Sequence, residues 1–442
     1  MSASTHSVVA IVGRPNVGKS TLFNRIIKKR MAIVDDRPGI TRDRLAALAD
    51  WAGRRFFVVD TGGLVISEKD SLVSAVGQQA RLAIEEADLV LLVVDLEVGP
   101  SLEDQEVARH LLRAGKKTLL VLNKSDTAGA RAHEAEFFSL GLGEGLAVSS
   151  VHGRGVGDLL DRVVENLPEE SPPAVVQEGI QVAVLGRPNV GKSSLVNAIV
   201  GEERVVVDAV PGTTRDAVDT IVHRDDQRFI FIDTAGLRKK SRIKKGVEFY
   251  STLRTLRGLD RCHVALVVID AAQGPAAQDI HIVDQAQSAF KGIILILNKW
   301  DLVGEEAKRS AYETQLRERY PSLGYIPVVN TSALTGWNVP AVLDRIRSVY
   351  RERGKRISTG RLNRFVTDLL QRRQPPSLRG RPTKIYYAVQ QKVHPPTFIF
   401  FSNSPQAFRA PYLRYIRHRL RDMFGFEGTP LRVWVRQREG KD

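Results

Sequence analysis

GRPNVGKS occupies residues 13–20 and recurs letter for letter at residues 186–193. Each copy follows a short apolar run, VVAIV at 8–12 and QVAVL at 181–185, and precedes a stretch with helical character. That strand–loop–helix setting is the context in which GxxxxGK[ST] acts as a phosphate loop. Glycines allow backbone N–H groups to converge on phosphate oxygens at a helix N-terminus. Gly13, Arg14, Pro15, Asn16, Val17 and Gly18 are therefore read as one phosphate cradle, and Gly186, Arg187, Pro188, Asn189, Val190 and Gly191 as a second. Lys19 and Lys192 are expected to reach the β and γ phosphates, and the hydroxyls of Ser20 and Ser193 to ligate Mg²⁺.

The repeat extends far beyond the octapeptide. PGITRD at 38 is matched by PGTTRD at 211 and DTGGL at 60 by DTAGL at 233, both displaced by the octapeptide's own 173 residues. NKSD at 123 is matched by NKWD at 298, and GP at 99 by GP at 274, both displaced by 175. So small a drift over such a span marks a duplicated domain rather than a solenoid repeat. Continuous apolar runs such as LVLLVVD (89–95) and VALVVID (264–270) suit strands covered on both faces by helices. The predicted fold is α/β: two tandem P-loop domains, each a mainly parallel sheet with helices on both faces, followed by a small α+β domain. Boundaries are placed at 1–167, a proline-containing linker at 168–178, 179–352, and 353–442.

The NKxD elements indicate which nucleotide. An Asp carboxylate accepts from both the ring N–H and the exocyclic amine of guanine, a bidentate pair adenine cannot offer. Asp126 and Asp301 are the expected specificity residues, within Asn123, Lys124, Ser125 and Asn298, Lys299, Trp300. The asparagines would brace the loops and the lysine stems cover the base. After the last strand of each domain, Ser149-Ser150-Val151 is set against Thr331-Ser332-Ala333. The contacts to guanine are expected from Ser150, Val151, Ser332 and Ala333, with valine tolerated because a backbone N–H makes the bond.

DxxG supplies the remaining phosphate chemistry. Asp60 and Asp233 are expected in the Mg²⁺ shell, and the N–H groups of Gly63 and Gly236 at the γ-phosphate. The intervening Thr61, Gly62, Thr234 and Ala235 belong to the same switches, while Thr41 and Thr214 would close over the metal. The following residues are Leu64 and Leu237. Leucine cannot orient water, so neither switch carries the Gln that signalling GTPases such as Ras place there.

Composition excludes several classes. No run of 18 apolar residues exists in the 442-residue chain, so a transmembrane helix is not expected. A single cysteine cannot form an internal disulfide, and no secretory leader is apparent; both point to the cytoplasm. The net charge is +15, yet 21 of the 65 basic residues and only 6 of the 50 acidic ones lie in 351–442, which leaves the first 350 residues balanced. A neutral body with a basic tail domain suggests a polyanion partner. The second switch is followed by Lys239, Lys240, Arg242, Lys244 and Lys245, against mixed charge in the first. We read the second as a nucleotide-gated basic surface facing RNA; a merely solvated loop is the alternative.

Beyond residue 353 the pattern predicts α-β-β-α-β. In YLRYIRHRLRDMF, Tyr412, Ile416, Leu420 and Met423 share one helical face and Arg414, Arg417 and Arg421 another, leaving the arginines free for phosphates. Tyr386, Tyr387, Phe398, Phe400 and Phe401 are read as core or interface before stacking platforms. GFEG at 425–428 is not read as an RNA-clamping GxxG, because it joins a helix to a strand; Gly425 is expected to cap the helix.

The order GxxxxGKS, Thr, DxxG, NKxD, twice over and followed by a basic domain, resembles the translation-factor class of small GTPases, and specifically the tandem-domain bacterial Der (EngA) family. The resemblance covers almost the whole chain. It implies two G domains, a KH-like third domain, GTP/GDP and Mg²⁺ as ligands, GTP hydrolysis, and a role in large (50S) ribosomal subunit assembly with rRNA as partner. It also implies that Asn16 and Asn189 help bind a K⁺ ion acting in place of an arginine finger; simple capping of the loop is the alternative. The chain is expected to be a monomer off the ribosome. A nucleotide-gated RNA-binding module, with one G domain holding GTP without turnover, remains open, and action on membrane or tRNA is disfavoured.

Overall fold

The computed structural model describes residues 6–33, 46–63, 78–127, 130–169, 178–201, 206–209, 219–234, 247–304, 312, 314, 316–378 and 380–438. Two compact units divide the chain, Met1–Gln177 with Ser241–Arg257, and Glu178–Lys240 with Gly258–Asp442.

The first unit is built on a six-stranded sheet of order β2-β3-β1-β4-β5-β6. Its strands are β1 (Ser7–Val12), β2 (Ala46–Trp51), β3 (Arg54–Asp60), β4 (Leu89–Asp95), β5 (Thr118–Asn123) and β6 (Leu146–Val148). All neighbours pair in parallel except β2 with β3. The helices are α1 (Lys19–Ile33), α2 (Gln78–Glu86), α3 (Leu102–Arg113) and α4 (Val156–Asn166). Alternation along the strands explains the unbroken apolar runs. Val8, Ala10, Val90 and Leu92 pack with Ile84 of α2 and Val107 and Leu111 of α3. Val9, Ile11, Leu89 and Leu91 pack with Leu22 and Ile26 of α1 and Leu159 and Val163 of α4. Each fully buried Leu or Ile contributes about 2 kcal/mol, so polar residues have no place on either face.

The second unit repeats this plan with one further strand, in the order β13-β12-β11-β7-β10-β9-β8. These are β7 (Ile180–Leu185), β8 (Val206–Ala209), β9 (Thr220–Arg224), β10 (Gln227–Phe231), β11 (Val264–Asp270), β12 (Gly292–Asn298) and β13 (Val328–Asn330). Its helices include α5 (Lys192–Val200), the last residues of α6 (Val247–Arg261), which up to Arg257 belongs to the first unit, α7 (Ala277–Ser288) and α8 (Pro340–Gly354). In both sheets the first strand lies between the two strands it pairs with in parallel, β3-β1-β4 and β10-β7-β11. The chain therefore winds outward from that point in two directions, and the crevice at the carboxyl ends of these strands is where such sheets bind ligands.

The same unit carries the C-terminal α+β layer: α9 (Thr359–Arg372), β14 (Ile385–Lys392), β15 (Thr397–Ser402), α10 (Ala410–Phe424) and β16 (Arg432–Gln437). β15 pairs antiparallel with β14 and parallel with β16. The α-β-β-α-β order is the expected one. Phe398 and Phe400 are fully buried, Tyr387 stacks on Phe401 at 4.5 Å, and Tyr386 stays exposed beneath the Arg438 guanidinium. On α10 the buried stripe is Tyr412, Ile416, Leu420 and Phe424; Met423, expected in it, is 43% exposed. At 100° per residue position 424 continues the 412–416–420 row by fours, and 423 lies a step off it.

The arginine face of α10 is also only partly free. Arg414 is exposed, whereas the Arg421 guanidinium lies 3.8 Å over the Tyr325 ring and donates to Thr429 O at 3.1 Å. Burial near that tyrosine lowers the pKa of Arg417 and Arg421 alike. Arg417 and Arg421 thus face the second G-like sheet domain rather than open solvent. GFEG explains the geometry. Gly425 (φ 86°) caps α10, its N–H bonding to Arg421 O at 2.8 Å. Gly428 then joins the neighbouring domain, donating to Tyr325 O at 2.7 Å and accepting from Ile293 N at 2.8 Å.

Candidate functional site

The first phosphate loop leaves β1 at Gly13 (φ 146°) and enters α1 after Gly18 (φ 96°). A Cβ on Gly13 would lie 2.1 Å from Val93 O, and one on Gly18 2.2 Å from Asn123 Nδ2. Gly186 and Gly191 repeat this at 2.4 Å from Val268 O and 2.2 Å from Asn298 Nδ2. None of these four glycines can carry a side chain, the condition under which loop N–H groups can converge on phosphate oxygens. Asn16 (φ 65°) and Asn189 (φ 64°) occupy the left-handed region, which asparagine tolerates better than most residues, and both are exposed.

Lys19 Nζ rests on Arg14 O at 2.7 Å, and Lys192 Nζ on Gly186 O and Arg187 O at 2.8 and 2.6 Å. Burial lowers the Lys19 pKa, opposed by the Asp60 carboxylate. Asp60 ends β3 and accepts from Gly62 N at 2.8 Å. Asp233 differs: its φ is 55°, and its own N–H donates to Asp219 at 3.0 Å. Ser20 and Ser193 lie in the first turns of α1 and α5, Thr61 and Gly63 in the 3-10 turn after β3, and Thr234 just after β10. Thr41, Leu64, Thr214, Ala235, Gly236 and Leu237 lie outside the described residues, as do Lys239, Lys240, Arg242, Lys244 and Lys245. Among the described residues no cluster of three His, Cys, Asp or Glu is present to hold a metal by itself. A Mg²⁺ ion here would depend on serine hydroxyls, Asp60 or Asp233, and the nucleotide's own oxygens.

NKxD connects this cradle to the base loop. Asn123 is buried; its Nδ2 donates to Val17 O at 2.7 Å, while its Oδ1 accepts from Ser150 N at 3.0 Å and Ser150 Oγ at 2.8 Å. Asn298 likewise donates to Val190 O at 2.9 Å and accepts from Ala333 N at 3.0 Å. Lys124 (φ 67°) and Lys299 (φ 62°) turn sharply and pair with Asp95 and Asp270 at 2.5 and 2.6 Å, which raises the Lys124 pKa. Asp126 is held ionised by a Ser149 hydrogen bond and by His152, 3.3 Å away. Ser125 N donates to Val148 O, and the backbone N–H of buried Trp300 donates to Thr331 O.

These bonds revise the pairing of the two base loops. Ser149 N donates to Arg154 O and Ser149 Oγ receives His152 N; Ser332 N donates to Trp337 O and Ser332 Oγ receives Thr335 N. Ser149 is thus equivalent to Ser332, and Ser150, not Val151, to Ala333. The displacement has grown from 175 to 183 residues because the segment before the last strand is longer in the second copy. Val151 instead matches Leu334, and both point outward, 63% and 86% exposed. By this register Ser150, rather than Val151, is the residue that corresponds to Ala333.

Several residues at the site escaped the motifs. Asp95 and Asp270 are displaced by 175 residues, the same spacing as NKxD, and that shared spacing was the available signal. Arg25 of α1 donates to Ser150 O at 3.0 Å and also to Val151 O, bracing the first base loop. The second copy has Ala198 there, packed with Ala333 against the core, so no repeat could reveal Arg25.

A family model described as "50S ribosome-binding GTPase" matches residues 8–124 and 181–299, and one described as "KH-domain-like of EngA bacterial GTPase enzymes, C-terminal" matches 356–436. GTPase Der of Desulforamulus reducens is 48% identical over 436 residues, covering 98% of this chain and 99% of that one. The Caldanaerobacter subterraneus subsp. tengcongensis and Heliobacterium modesticaldum proteins of the same name are 47% and 48% identical, over 99% and 98% of this chain and 100% and 98% of theirs. With the duplicated cradles and KH-like tail, this full-length identity shows that the chain belongs to the GTPase Der family of bacterial GTP-hydrolysing enzymes, whose ligands are GTP, GDP and Mg²⁺.

Proposed function

We propose that both G domains, in boundaries 1–167 and 179–352 with the linker 168–178 between them, bind GTP·Mg²⁺ and turn it over. The KH-like domain 353–442 then carries the chain to the maturing large ribosomal subunit in the cytoplasm. The observation that carries this reading is the buried asparagine, Asn123 or Asn298, which in each copy ties the phosphate loop to the base loop. A bound nucleotide would touch both loops, so its phosphates and its base would be sensed as one ligand. Gly13 to Ser20 and Gly186 to Ser193 would hold the phosphates, and Asp126 and Asp301 the guanine edge. Backbone at Ser150 and Ala333 would lie beside the base.

K⁺ stimulation belongs to the same proposal. The exposed amide groups of Asn16 and Asn189 fit a monovalent cation beside the phosphates, where positive charge would offset charge developing in phosphoryl transfer. Equal wild-type rates in Na⁺ and K⁺ would refute the ion's role. Loss of the K⁺ response in Asn16→Asp and Asn189→Asp together is the expected result.

The charge surplus beyond residue 350 supports RNA as the gated partner, with Arg414 exposed for phosphate contact. No helix among the described residues is long and apolar enough to cross a membrane. Cosedimentation with separated ribosomal subunits under GTP, GDP and a non-hydrolysable analogue tests the reading. Nucleotide-dependent binding to the large subunit, weakening steeply with salt, is expected; equal binding in all three states would refute gating. A second reading, one G domain binding GTP without turnover, is favoured by the unlike backbone at Asp60 and Asp233. Turnover by Lys19→Ala and Lys192→Ala chains separates the two readings.

A further inference from the structure

GP at 99 and 274 opens a helix whose third residue is an aspartate with no solvent exposure, Asp104 on α3 and Asp279 on α7. Asp104 forms a capping box with Ser101, and Asp279 accepts the N-cap N–H of Ala276; either role needs only a neutral acceptor. A fully buried carboxylate is costly unless an opposite charge meets it. That charge comes from the phosphate loop. Arg187 Nε contacts both Asp279 oxygens at 3.0 and 2.9 Å, and Arg14 Nε lies 3.3 Å from Asp104 Oδ2.

The backbone of these arginines also matters. Arg14 O and Arg187 O are the carbonyls on which Lys19 and Lys192 rest. We infer that Asp104 and Asp279 are positioning residues of the two phosphate loops, acting through Arg14 and Arg187. This rests on the site reading proposed above. Pinning the arginine fixes the carbonyl that holds the phosphate-loop lysine and the register of the N–H groups beside it.

The pin is set to different strengths. In the first copy Ser101 donates both its N–H and its hydroxyl to Asp104 Oδ2, at 3.1 and 2.8 Å, competing with Arg14. Among the described residues Arg14 Nε and Asp104 Oδ1 are left buried without a hydrogen-bond partner, which Arg187 Nε and the Asp279 oxygens are not; Nη2 of both arginines lacks one in either copy. Ala276 replaces Ser101 in the second copy and offers only its N–H, so both Asp279 oxygens serve Arg187. The second loop is the more tightly held.

The test uses the full chain with one site silenced by Lys19→Ala or Lys192→Ala, and follows release of a fluorescent GDP, steady-state turnover and melting temperature. Asp279→Asn keeps an acceptor for the cap but loses the charge. It is expected to speed release from the second site by about tenfold, as loss of a charge-assisted bond would, with kcat lowered as well as KM raised. Asp104→Asn should change first-site release by about threefold or less, from the weaker pin. The serine swap separates positioning from stability. Ser101→Ala removes a helix cap and should lower the melting temperature, yet slow first-site release; Ala276→Ser should speed second-site release. Release and turnover unchanged in Asp279→Asn, or faster release in Ser101→Ala, would overturn the inference. Silenced parent chains that bind no GDP at all would strike the site assignment itself.

Discussion

Asn298→Ala should disable nucleotide binding in the second domain while leaving the fold intact. The side chain is 2% exposed, and its amide spans two loops: Nδ2 to Val190 O at 2.9 Å, Oδ1 to Ala333 N at 3.0 Å. Truncation orphans one carbonyl and one N–H, each costing about 1–3 kcal/mol when water cannot reach it. Ala333 is partly exposed and regains some hydration, so about 3 kcal/mol is the sensible total. At 1.4 kcal/mol per decade this is on the order of a hundredfold in Kd. Fluorescent-GDP titration of the chain silenced at the first site by Lys19→Ala measures it. Asn123→Ala, read in the Lys192→Ala chain, should cost somewhat more, because Asn123 Oδ1 accepts from Ser150 Oγ at 2.8 Å whereas Thr331 Oγ1 lies 3.5 Å from Asn298 Oδ1. A loss below about threefold in both would refute the idea that this amide couples the loops.

Three further outcomes follow from the geometry. Gly428→Ala places a Cβ 2.7 Å from Val349 Cγ2 and 2.9 Å from Ile293 O at a φ of 64°. A cost of about 2–3 kcal/mol is expected, read as lost hydrogen-exchange protection at the Ile293 amide; unchanged protection would count against docking of the GFEG turn. His263 accepts from Gln181 N at 3.1 Å and is pushed down to about 4 by burial and by Arg353, Lys291 and His394. Its folded pKa lies below the unfolded one, so its contribution is complete above about pH 6.5 and is lost as pH falls toward 4, by about 2 kcal/mol after allowing for partial exposure. Urea unfolding at pH 7.5 and 5 should show this slope reduced in His263→Gln; an identical slope would contradict it. Ser150→Ala should cost about 1 kcal/mol or less at the first site, since Ala333 serves the second, and Val151→Ser nothing measurable in GDP titration.

The C-terminal layer shows how far pattern reading reaches. Its element order and the role of Gly425 were readable, because strand alternation and helix caps are local. The placement of Met423 and Phe424 was not, since a one-residue rotation on a helix is decided by what packs against it. Arg417 and Arg421 looked like a free phosphate-binding face for the same reason. Their partner, Tyr325, is nearly a hundred residues away in sequence and meets them only after folding.

What the sequence determined by itself was the duplication and the chemistry held within contiguous motifs. Phosphate loops, DxxG and NKxD repeat at nearly constant spacing because each is a short segment whose function is mostly its own backbone and side chains. What the tertiary structure alone decided was how those segments touch. It moved the first base loop by one residue, from Val151 to Ser150, because hydrogen-bond register rather than letter similarity defines equivalence there. It also joined Asp104 to Arg14 and Asp279 to Arg187, some ninety residues apart. A buried charge must find its counter-charge in space, and sequence separation carries no information about that meeting.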